Sequence, residues 1–240
     1  MRLVDYIAQF IHEKLGVTKI YTLTGGGAMF LNDCVVKHPK LEAVCNHHEQ
    51  ACAMAAVGHA KYTNDFAVAM LTTGCGATNA ITGLLDAWQD NTTCLFISGQ
   101  VKRKQTSHNS NVPLRAFGIQ EANIIPIVKS LTKYSVMINE PQEIAYHLEK
   151  ACFLAKIGRP GPVWLDIPSD VQGATINVDN LKHFNPDEYL KEFTETADSK
   201  SIEYVAKLLE SAKRPVILAG NGIRLANAVT EMKQLTNKYK

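Results

Sequence analysis

The sequence predicts an α/β protein whose parallel sheet is sandwiched between helices. Three runs are apolar almost throughout, FAVAML (66–71), CLFIS (94–98) and VWLDI (163–167), and segments of helical character lie between them. Strands without a polar face are buried on both sides, which is typical of a parallel sheet covered by helices on each face. Their alternation with helices therefore predicts a layered α/β domain.

The predicted elements alternate from the amino terminus onward. Residues 1–16 form an amphipathic helix, because apolar side chains share one stripe at helical spacing: Leu3, Val4, Ile7, Phe10, Ile11 and Leu15. Strands are then predicted within 17–27, 41–47, 65–76, 93–100 and 161–168. Further helices are predicted within 28–37, from Glu49 onward, and within 77–90 and 141–158.

The segment 102–125 interrupts this alternation, because it is polar and lacks clear periodicity until its end. Loops longer than ~12–15 residues are usually functional or disordered. The segment is therefore predicted to be a lid or a wall of a binding site.

Three regions are predicted along the chain. Residues 1–175 hold the α/β domain, and the charged, irregular residues 176–198 form an exposed linker. Residues 199–240 contain a helix, an apolar strand in PVILAG (215–220) and another helix. These elements are too few to cover a sheet on both faces, so we expect them to begin a second α/β domain of a longer protein.

Composition excludes several functional classes. The 240 residues are 46% hydrophobic and 20% charged with a net charge of +2, which is an ordinary globular balance. The densest basic cluster, VKRKQ (101–105), has no interleaved aromatic residues, so no nucleic-acid partner is expected. No apolar run approaches the ~20 residues of a membrane span, and residues 1–16 are not a signal peptide. We expect no membrane association, a cytoplasmic location and reduced, buried cysteines without a disulfide framework.

Glu49 lies at the start of a segment rich in small apolar residues, CNHHEQACAMAAVGHA (45–60). A zinc site is one interpretation, because His48 and Cys52 would share a helical face, but two ligands do not complete such a site. An exposed first-turn carboxylate, favoured by the helix dipole, is another. The residues alone leave these interpretations open.

The segment TTGCGATN (72–79) joins a strand end to a helix start, where α/β sheets bind ligands. No lysine follows its glycines, so it is not a P-loop, and it is not a GxGxxG motif. The glycines indicate close backbone approach to a flat or phosphorylated ligand, or merely a tight turn.

Four segments in this order together resemble the thiamine diphosphate-dependent 2-oxoacid enzymes of the acetolactate synthase type. They are HHEQACAMAAVGHAK (47–61), LTTGCGATNAITGLLDAWQDNTTCLFISGQV (71–101), GIQEANIIPIVKSLTKY (118–134) and AKIGRPGPVWLDIPSDV (155–171). The resemblance covers the pyrimidine-binding domain of that family over about residues 1–175, and 199–240 resembles the opening of its central domain.

The resemblance implies roles for particular residues. Glu49 corresponds to the glutamate that hydrogen-bonds a ring nitrogen of the aminopyrimidine, with small residues behind it so that its helix packs closely. Gln120 corresponds to a glutamine that reaches the active site, which makes Glu49 and Gln120 the catalytic candidates. The remaining cofactor-binding candidates are Gly26, Gly27, Thr72, Cys75, Asn79 and, only if FAD is bound, Arg159. His47 and His48 titrate near neutrality but are not assigned a catalytic role.

The resemblance also implies the cofactors and partners. The cofactor is thiamine diphosphate, held through Mg²⁺ by a carboxyl-terminal domain whose GDG motif is absent here, so no metal ligand is assigned. FAD is a further cofactor of some members. Pyruvate is the expected substrate, and a second subunit completes the site in a homodimer or tetramer, so residues 1–240 alone are expected to be inactive.

Departures from the family pattern leave the acceptor substrate open. Gly25 and Cys75 stand where many members have proline, Ser169 replaces a common lysine, and 101–120 is longer than usual. The implied reaction is decarboxylation of pyruvate and transfer of the two-carbon unit to a carbonyl acceptor. Alternatives are another 2-oxoacid, a keto-sugar nucleotide acceptor, or a non-catalytic relative that serves as an interaction module.

Overall fold

The computed structural model describes residues 1–193 and 197–239. The chain divides into two compact units, Met1–Pro186 and Asp187–Lys240. Residues 194–196 of the predicted linker and residue 240 of the predicted second domain lie outside the described residues.

The first unit is built on a six-stranded parallel sheet with the strand order β2-β1-β3-β4-β6-β5. The strands are β1 (Lys19–Thr22), β2 (Glu42–Cys45), β3 (Ala67–Leu71), β4 (Cys94–Gln100), β5 (Tyr134–Met137) and β6 (Val163–Pro168). Every pairing in this sheet is parallel, so the predicted fold class is confirmed.

Helices connect successive strands. In the first unit they are α1 (Leu3–Leu15), α2 (Met29–Lys37), α3 (Glu49–Thr63), α4 (Cys75–Asn79), α5 (Ile81–Gln89), α6 (Ile124–Val128), α7 (Ile144–Lys156) and α8 (Ser169–Gln172). Short 3₁₀ turns occur at Gly26–Ala28, Arg103–Gln105, Lys129–Leu131, Pro141–Glu143 and Val178–Asn180.

The core has two layers, one on each face of the sheet. In β3, Val68 and Met70 join the layer that contains the buried residues of α1, α2 and α7. Ala67, Ala69 and Leu71 point to the other face and join the layer formed with α3 and α5. All five side chains of β3 are buried, which explains why the strand has no polar face.

Helices α3 and α5 pack closely because both present small residues at their contact. A Cβ atom added to Gly83 of α5 would lie 2.6 Å from Cβ of Ala53 in α3. This close packing fixes the position of α3, and Glu49 is the first residue of that helix.

The structure differs from the sequence-based prediction at the end of the first unit. Residues 176–186, assigned to an exposed linker, contact the unit: Ile176 and Leu181 are buried in its core. The Glu149 carboxylate of α7 accepts hydrogen bonds of 2.7 Å from His183 Nδ1 and 2.8 Å from the Phe184 amide. Most charged residues of the predicted linker lie in 187–198, and the apolar Ile176 and Leu181 precede them.

The second unit contains α9 (Asp187–Phe193), α10 (Ser199–Ser211), α11 (Gly222–Leu225) and α12 (Val229–Lys238). The strand predicted in residues 215–220 is not formed; Val216 and Leu218 are 92% and 99% exposed. A strand requires a hydrogen-bonded neighbour, and the described residues of this unit supply none.

Two further findings concern the whole described chain. All six cysteines are free; Cys34, Cys52, Cys94 and Cys152 are buried, whereas Cys45 and Cys75 are exposed. The expectation of buried thiols is therefore wrong for these last two. None of the helices over the described ranges combines the length and apolar character that crossing a membrane requires.

Candidate active site

All the predicted site residues except Arg159 lie in segments at the carboxyl edge of the sheet. Strands β1 and β3 are neighbours in the sheet. After β1 the chain continues to β2 on one side of this pair, and after β3 it continues to β4 on the other side. Such a divergence opens a crevice at the carboxyl ends of the strands. The segments that border it are the glycines after β1, the start of α3 after β2, and the turn 72–79 after β3.

Glu49 is the first residue of α3 and is 9% exposed. His48 lies just outside the helix and caps it: its Nδ1 accepts a hydrogen bond of 3.2 Å from the Gln50 amide. The capping geometry fixes where the helix begins, and therefore where Glu49 enters the protein.

The Glu49 carboxylate has one protein partner on one oxygen. Asn79 Nδ2 donates a hydrogen bond of 2.9 Å to Oε2. Among the described side chains of residues 1–190 and 197–239, no cation lies within ion-pair distance of Glu49, and none donates a hydrogen bond to its Oε1. Oε1 is not one of the enclosed side-chain atoms, so it is open to the crevice and can accept from a donor that the protein itself does not supply.

Glycine at position 76 keeps the space beside this oxygen open. A Cβ atom added there would lie 3.0 Å from Glu49 Oε1 and 2.4 Å from Cγ2 of Thr72. Thr72 is half-buried and also accepts a hydrogen bond of 3.2 Å from the Gly27 amide. Gly27, Thr72, Asn79 and Glu49 are thus brought together, and their role in cofactor binding stays a prediction.

Gly26 is exposed, with no atom near the position of an added Cβ. Cys75 is the exposed first residue of α4. Both lie in segments that border the crevice.

Gln120 reaches this edge through its backbone. The residue is exposed and adopts a left-handed conformation with φ of 58°. Its carbonyl oxygen would lie 1.8 Å from a Cβ atom at Gly74, which itself has φ of 62°. Only glycine allows this approach at position 74, so the long loop after β4 packs directly on the turn 72–79.

Arg159 lies away from this cluster. It is exposed and donates a hydrogen bond from Nε to Asn91 Oδ1, and both residues precede strands. In a parallel sheet the amino ends share one edge, so Arg159 is at the edge opposite to Glu49. His47 is exposed near the crevice, and the described part of the chain contains no cluster of three or more His, Cys, Asp or Glu side chains suited to a metal ion.

Sequence reasoning missed a buried polar group beneath the site, formed by Thr73, Ser98, Gln100 and Asp166. Asp166 is enclosed completely, and burial raises its pKa to about 7, against the hydrogen bonds from Ser98 and Gln100. The only sequence signal was polar residues inside otherwise apolar strands, in LFISGQ and VWLDIP.

Comparisons with known proteins show which family this chain resembles in sequence. Residues 1–115 match the model of the thiamine pyrophosphate enzyme N-terminal TPP-binding domain. The acetolactate synthase large subunit of Lactococcus lactis is 32% identical over 227 residues, which cover 95% of this chain and 38% of that protein. The chain belongs to the thiamine pyrophosphate enzymes of the acetolactate synthase type.

Two other members of this family show similar agreement. The acetolactate synthase large subunit of Corynebacterium glutamicum is 33% identical over 226 residues, or 92% of this chain and 34% of that protein. The mitochondrial acetolactate synthase of Schizosaccharomyces pombe is 34% identical over 221 residues, or 89% of this chain and 32% of that protein. The chain therefore spans about a third of the length of these relatives.

The residues around Glu49 fit the aminopyrimidine of thiamine diphosphate. A ring nitrogen of the cofactor needs a hydrogen-bonding partner, and the Oε1 of Glu49, which accepts no bond from the described residues, offers one. The missing Cβ at Gly76 leaves space beside that oxygen. Both features concern the same atom, so a flat ring that carries a hydrogen-bonding nitrogen fits there.

Proposed function

We propose that the protein containing this chain is a thiamine diphosphate-dependent enzyme that decarboxylates pyruvate and transfers the two-carbon unit to a carbonyl acceptor. The observation that carries this proposal is the buried Glu49 carboxylate, whose Oε1 has no partner and faces the space left by Gly76. Thiamine diphosphate, when bound, supplies the nucleophilic carbon and the electron sink for decarboxylation.

The roles of the protein residues follow from their contacts. With the cofactor bound, Glu49 would hydrogen-bond its ring nitrogen through Oε1, and Asn79 fixes the carboxylate by donating to its other oxygen. Thr72 and Gly27 form the adjoining wall through their 3.2 Å hydrogen bond. The exposed Gln120 side chain, on a loop packed against Gly74, is assigned to the substrate side of the site.

Asn79 fixes the Glu49 carboxylate through one oxygen, and the other oxygen is open to the crevice without a partner among the described residues. A carboxylate held in this way can form a hydrogen bond with a ligand that enters the crevice. This arrangement favours an enzyme over a non-catalytic interaction module.

The acceptor stays open between pyruvate, another 2-oxoacid and a keto-sugar nucleotide. The loop after β4 exposes four large apolar side chains, Val112, Leu114, Phe117 and Ile119. Because Gln120 follows directly, this surface is adjacent to the proposed substrate side. A larger acceptor would find apolar contacts there.

Other parts of the proposal concern the complete protein. Mg²⁺ is proposed to hold the diphosphate through ligands outside these 240 residues, with a second subunit in a homodimer or tetramer completing the site. FAD, if present, would contact Arg159 at the opposite edge from Glu49. A cytoplasmic location stays a prediction from the sequence.

The test uses the complete protein that contains these residues, with thiamine diphosphate and Mg²⁺. Carbon dioxide release from pyruvate is measured with and without cofactor, and products are identified with pyruvate, 2-oxobutyrate or a keto-sugar nucleotide as acceptor. Cofactor-dependent release supports the proposal, and the product names the acceptor. Absence of release from every 2-oxoacid tested would refute it and favour the interaction module.

A further inference from the structure

A line of buried polar side chains runs across the sheet beneath the site. Asp166 of β6 accepts a hydrogen bond of 2.7 Å from Ser98 of β4 and one of 3.1 Å from Gln100 Nε2. Trp164 Nε1 donates to the Ser98 hydroxyl at 2.8 Å, and Thr73 donates to Gln100 Oε1 at 2.6 Å. The line therefore connects the central strands to the residue next to Thr72.

Sheet register creates this line. Ser98 pairs with Asp166 and Phe96 pairs with Trp164, so alternate residues of β4 and β6 share one face. Phe96 and Trp164 stack with ring centroids 5.3 Å apart and end the polar line on the side toward the amino ends of β4 and β6. The polar groups are thus confined to the end of the face that lies nearest the site.

The Gln100 amide is fully saturated and has one permitted orientation. Nε2 uses both hydrogens, toward Asp166 Oδ2 and, at 2.9 Å, toward the Ala122 carbonyl. Oε1 accepts from Thr73 and, at 3.0 Å, from the Val101 amide. If the amide were turned over, its N–H groups would face the Val101 amide, which is also a donor. Its oxygen would then face the Asp166 carboxylate and the Ala122 carbonyl, which are also acceptors.

These partners are the two ends of the long loop. Val101 begins the loop and Ala122 ends it, two residues beyond Gln120, so one side chain clamps both ends. Glu121 holds the interior, because its carboxylate accepts hydrogen bonds of 2.8 Å from the amides of Ser107 and Phe117. The loop itself contains only one short 3₁₀ turn, Arg103–Gln105, and depends on such bonds for its shape.

Burying a carboxylate between two strands costs free energy. The side-chain donors to Asp166, Ser98 and Gln100, are neutral, and the like charge of Glu121 acts against its ionised form. Apolar residues of similar volume commonly stabilise a sheet as well or better. A carboxylate does supply what an apolar residue cannot, namely an acceptor that fixes which way the Gln100 amide points.

We propose that Asp166, acting through Gln100, is a positioning residue that holds Thr73 and both ends of the 101–122 loop, and thereby sets Gln120 against the Glu49 site. Asp166 touches no substrate in this scheme. The link to catalysis rests on the proposed function, whereas the link to loop position does not.

The first test is hydrogen–deuterium exchange on the protein without cofactor at pH 8. Gln100→Met removes all four bonds at nearly constant volume and is expected to speed exchange in 101–123 by about tenfold or more, since each lost buried hydrogen bond lowers the local opening free energy. Exchange in β1 and β3 should stay as in the wild type. Thr132→Val, a buried threonine that loses its bond to the Val128 carbonyl, is the matched control.

Conservative replacements separate positioning from simple packing. Asp166→Leu should release the loop, whereas Asp166→Asn keeps an acceptor for Gln100 and should restore its protection. Thr73→Val should raise exchange in the loop and in 72–79, and Thr73→Ser should not. Trypsin cleavage after the exposed Arg115 gives a second readout of the same loop and should rise and fall with exchange.

The second test measures kcat in the complete enzyme. Gln100→Met should lower kcat for pyruvate by about tenfold with little change in the Kd of thiamine diphosphate, because the Glu49–Asn79 pair is untouched. Unchanged loop exchange in Gln100→Met, or exchange raised equally in all segments, would overturn the positioning role. Faster loop exchange with unchanged kcat would overturn its link to catalysis, and absence of any activity in the wild type would count against the proposed function alone.

Discussion

Asn79 donates a 2.9 Å hydrogen bond from Nδ2 to Oε2 of Glu49 and leaves Oε1 of the same carboxylate without a protein partner. The two residues come from different segments, the end of α4 and the start of α3. The geometry of the carboxylate therefore depends on the turn that joins β3 to α4 as much as on its own helix.

Replacing Asn79 by aspartate should disable the site without unfolding the protein. Asn79→Asp substitutes an acceptor for the donor and brings a second carboxylate beside Glu49, so the two groups repel. We expect kcat/KM for pyruvate to fall about 100-fold, in line with ~3 kcal/mol for a lost hydrogen bond to a charged group. Asn91→Asp, at the opposite edge of the sheet, is the control and should keep wild-type kinetics.

Adding one methyl group at position 76 should block cofactor binding. In Gly76→Ala the new Cβ would lie 2.4 Å from Thr72 Cγ2 and 3.0 Å from Glu49 Oε1. We expect the Kd of thiamine diphosphate, measured by calorimetry on the complete protein, to rise about tenfold or more, because even small overpacking costs ~1–3 kcal/mol. Equal affinity in Gly76→Ala and wild type would mean that the space beside Glu49 is not the pyrimidine site.

The matched control for this substitution is Gly58→Ala. Gly58 lies inside α3, and an added Cβ would meet no atom within 4 Å. Alanine favours a helix interior by ~1 kcal/mol over glycine, so this variant should bind the cofactor normally and unfold at higher denaturant concentration.

Asp166 should make the protein less stable as pH rises. Burial raises the pKa of Asp166 to about 7, compared with an ordinary value of 3.8 in the unfolded chain. Between these values the folded protein binds more protons, so the free energy of unfolding decreases as pH increases through this window. The difference corresponds to ~4 kcal/mol at most.

Asp166→Asn removes this dependence, so its stability relative to the wild type should increase from pH 5 to pH 8 in urea unfolding. Asp179→Asn, at an exposed carboxylate, should show no such trend. A difference between Asp166→Asn and the wild type that stays constant over this range would contradict an uncharged buried Asp166 near pH 5.

Thiol labelling should divide the cysteines into two classes. Cys45 and Cys75 are exposed, whereas burial raises the pKa of Cys34 and Cys152 to about 12 and raises those of Cys52 and Cys94. At pH 8 we expect iodoacetamide to modify Cys45 and Cys75 within minutes and the other four only in urea. Rapid labelling of Cys94, in the centre of the sheet, would show that the core opens far more readily than its packing implies.

Most of the fold could be predicted because its strands are short apolar runs bounded by glycine or polar residues. Strand β5 (Tyr134–Met137) was missed, since only Met137 of its residues is buried and its pattern does not differ from that of a loop. The apolar run Val216–Leu218 was wrongly predicted to be a strand, because such a run forms a strand only where a neighbouring strand exists.

The site could be predicted only in part. Glu49 and Asn79 were identified by resemblance, since nothing in their spacing of thirty residues requires the hydrogen bond that joins them. The Gln100–Asp166 contact joins residues 66 positions apart and depends on the register of β4 with β6. Pair formation of this kind is decided by strand order, which a single sequence does not specify.

The most direct test of the central claim replaces the Glu49 carboxylate by an amide in the complete protein. Glu49→Gln keeps the shape and the bond from Asn79 but cannot share a proton with the cofactor ring; Glu13→Gln, an exposed position on α1, is the control. Cofactor-dependent carbon dioxide release from pyruvate should fall at least 100-fold in Glu49→Gln and stay unchanged in Glu13→Gln, in the range typical of a lost proton-transfer group. Equal rates in Glu49→Gln and wild type would contradict the account.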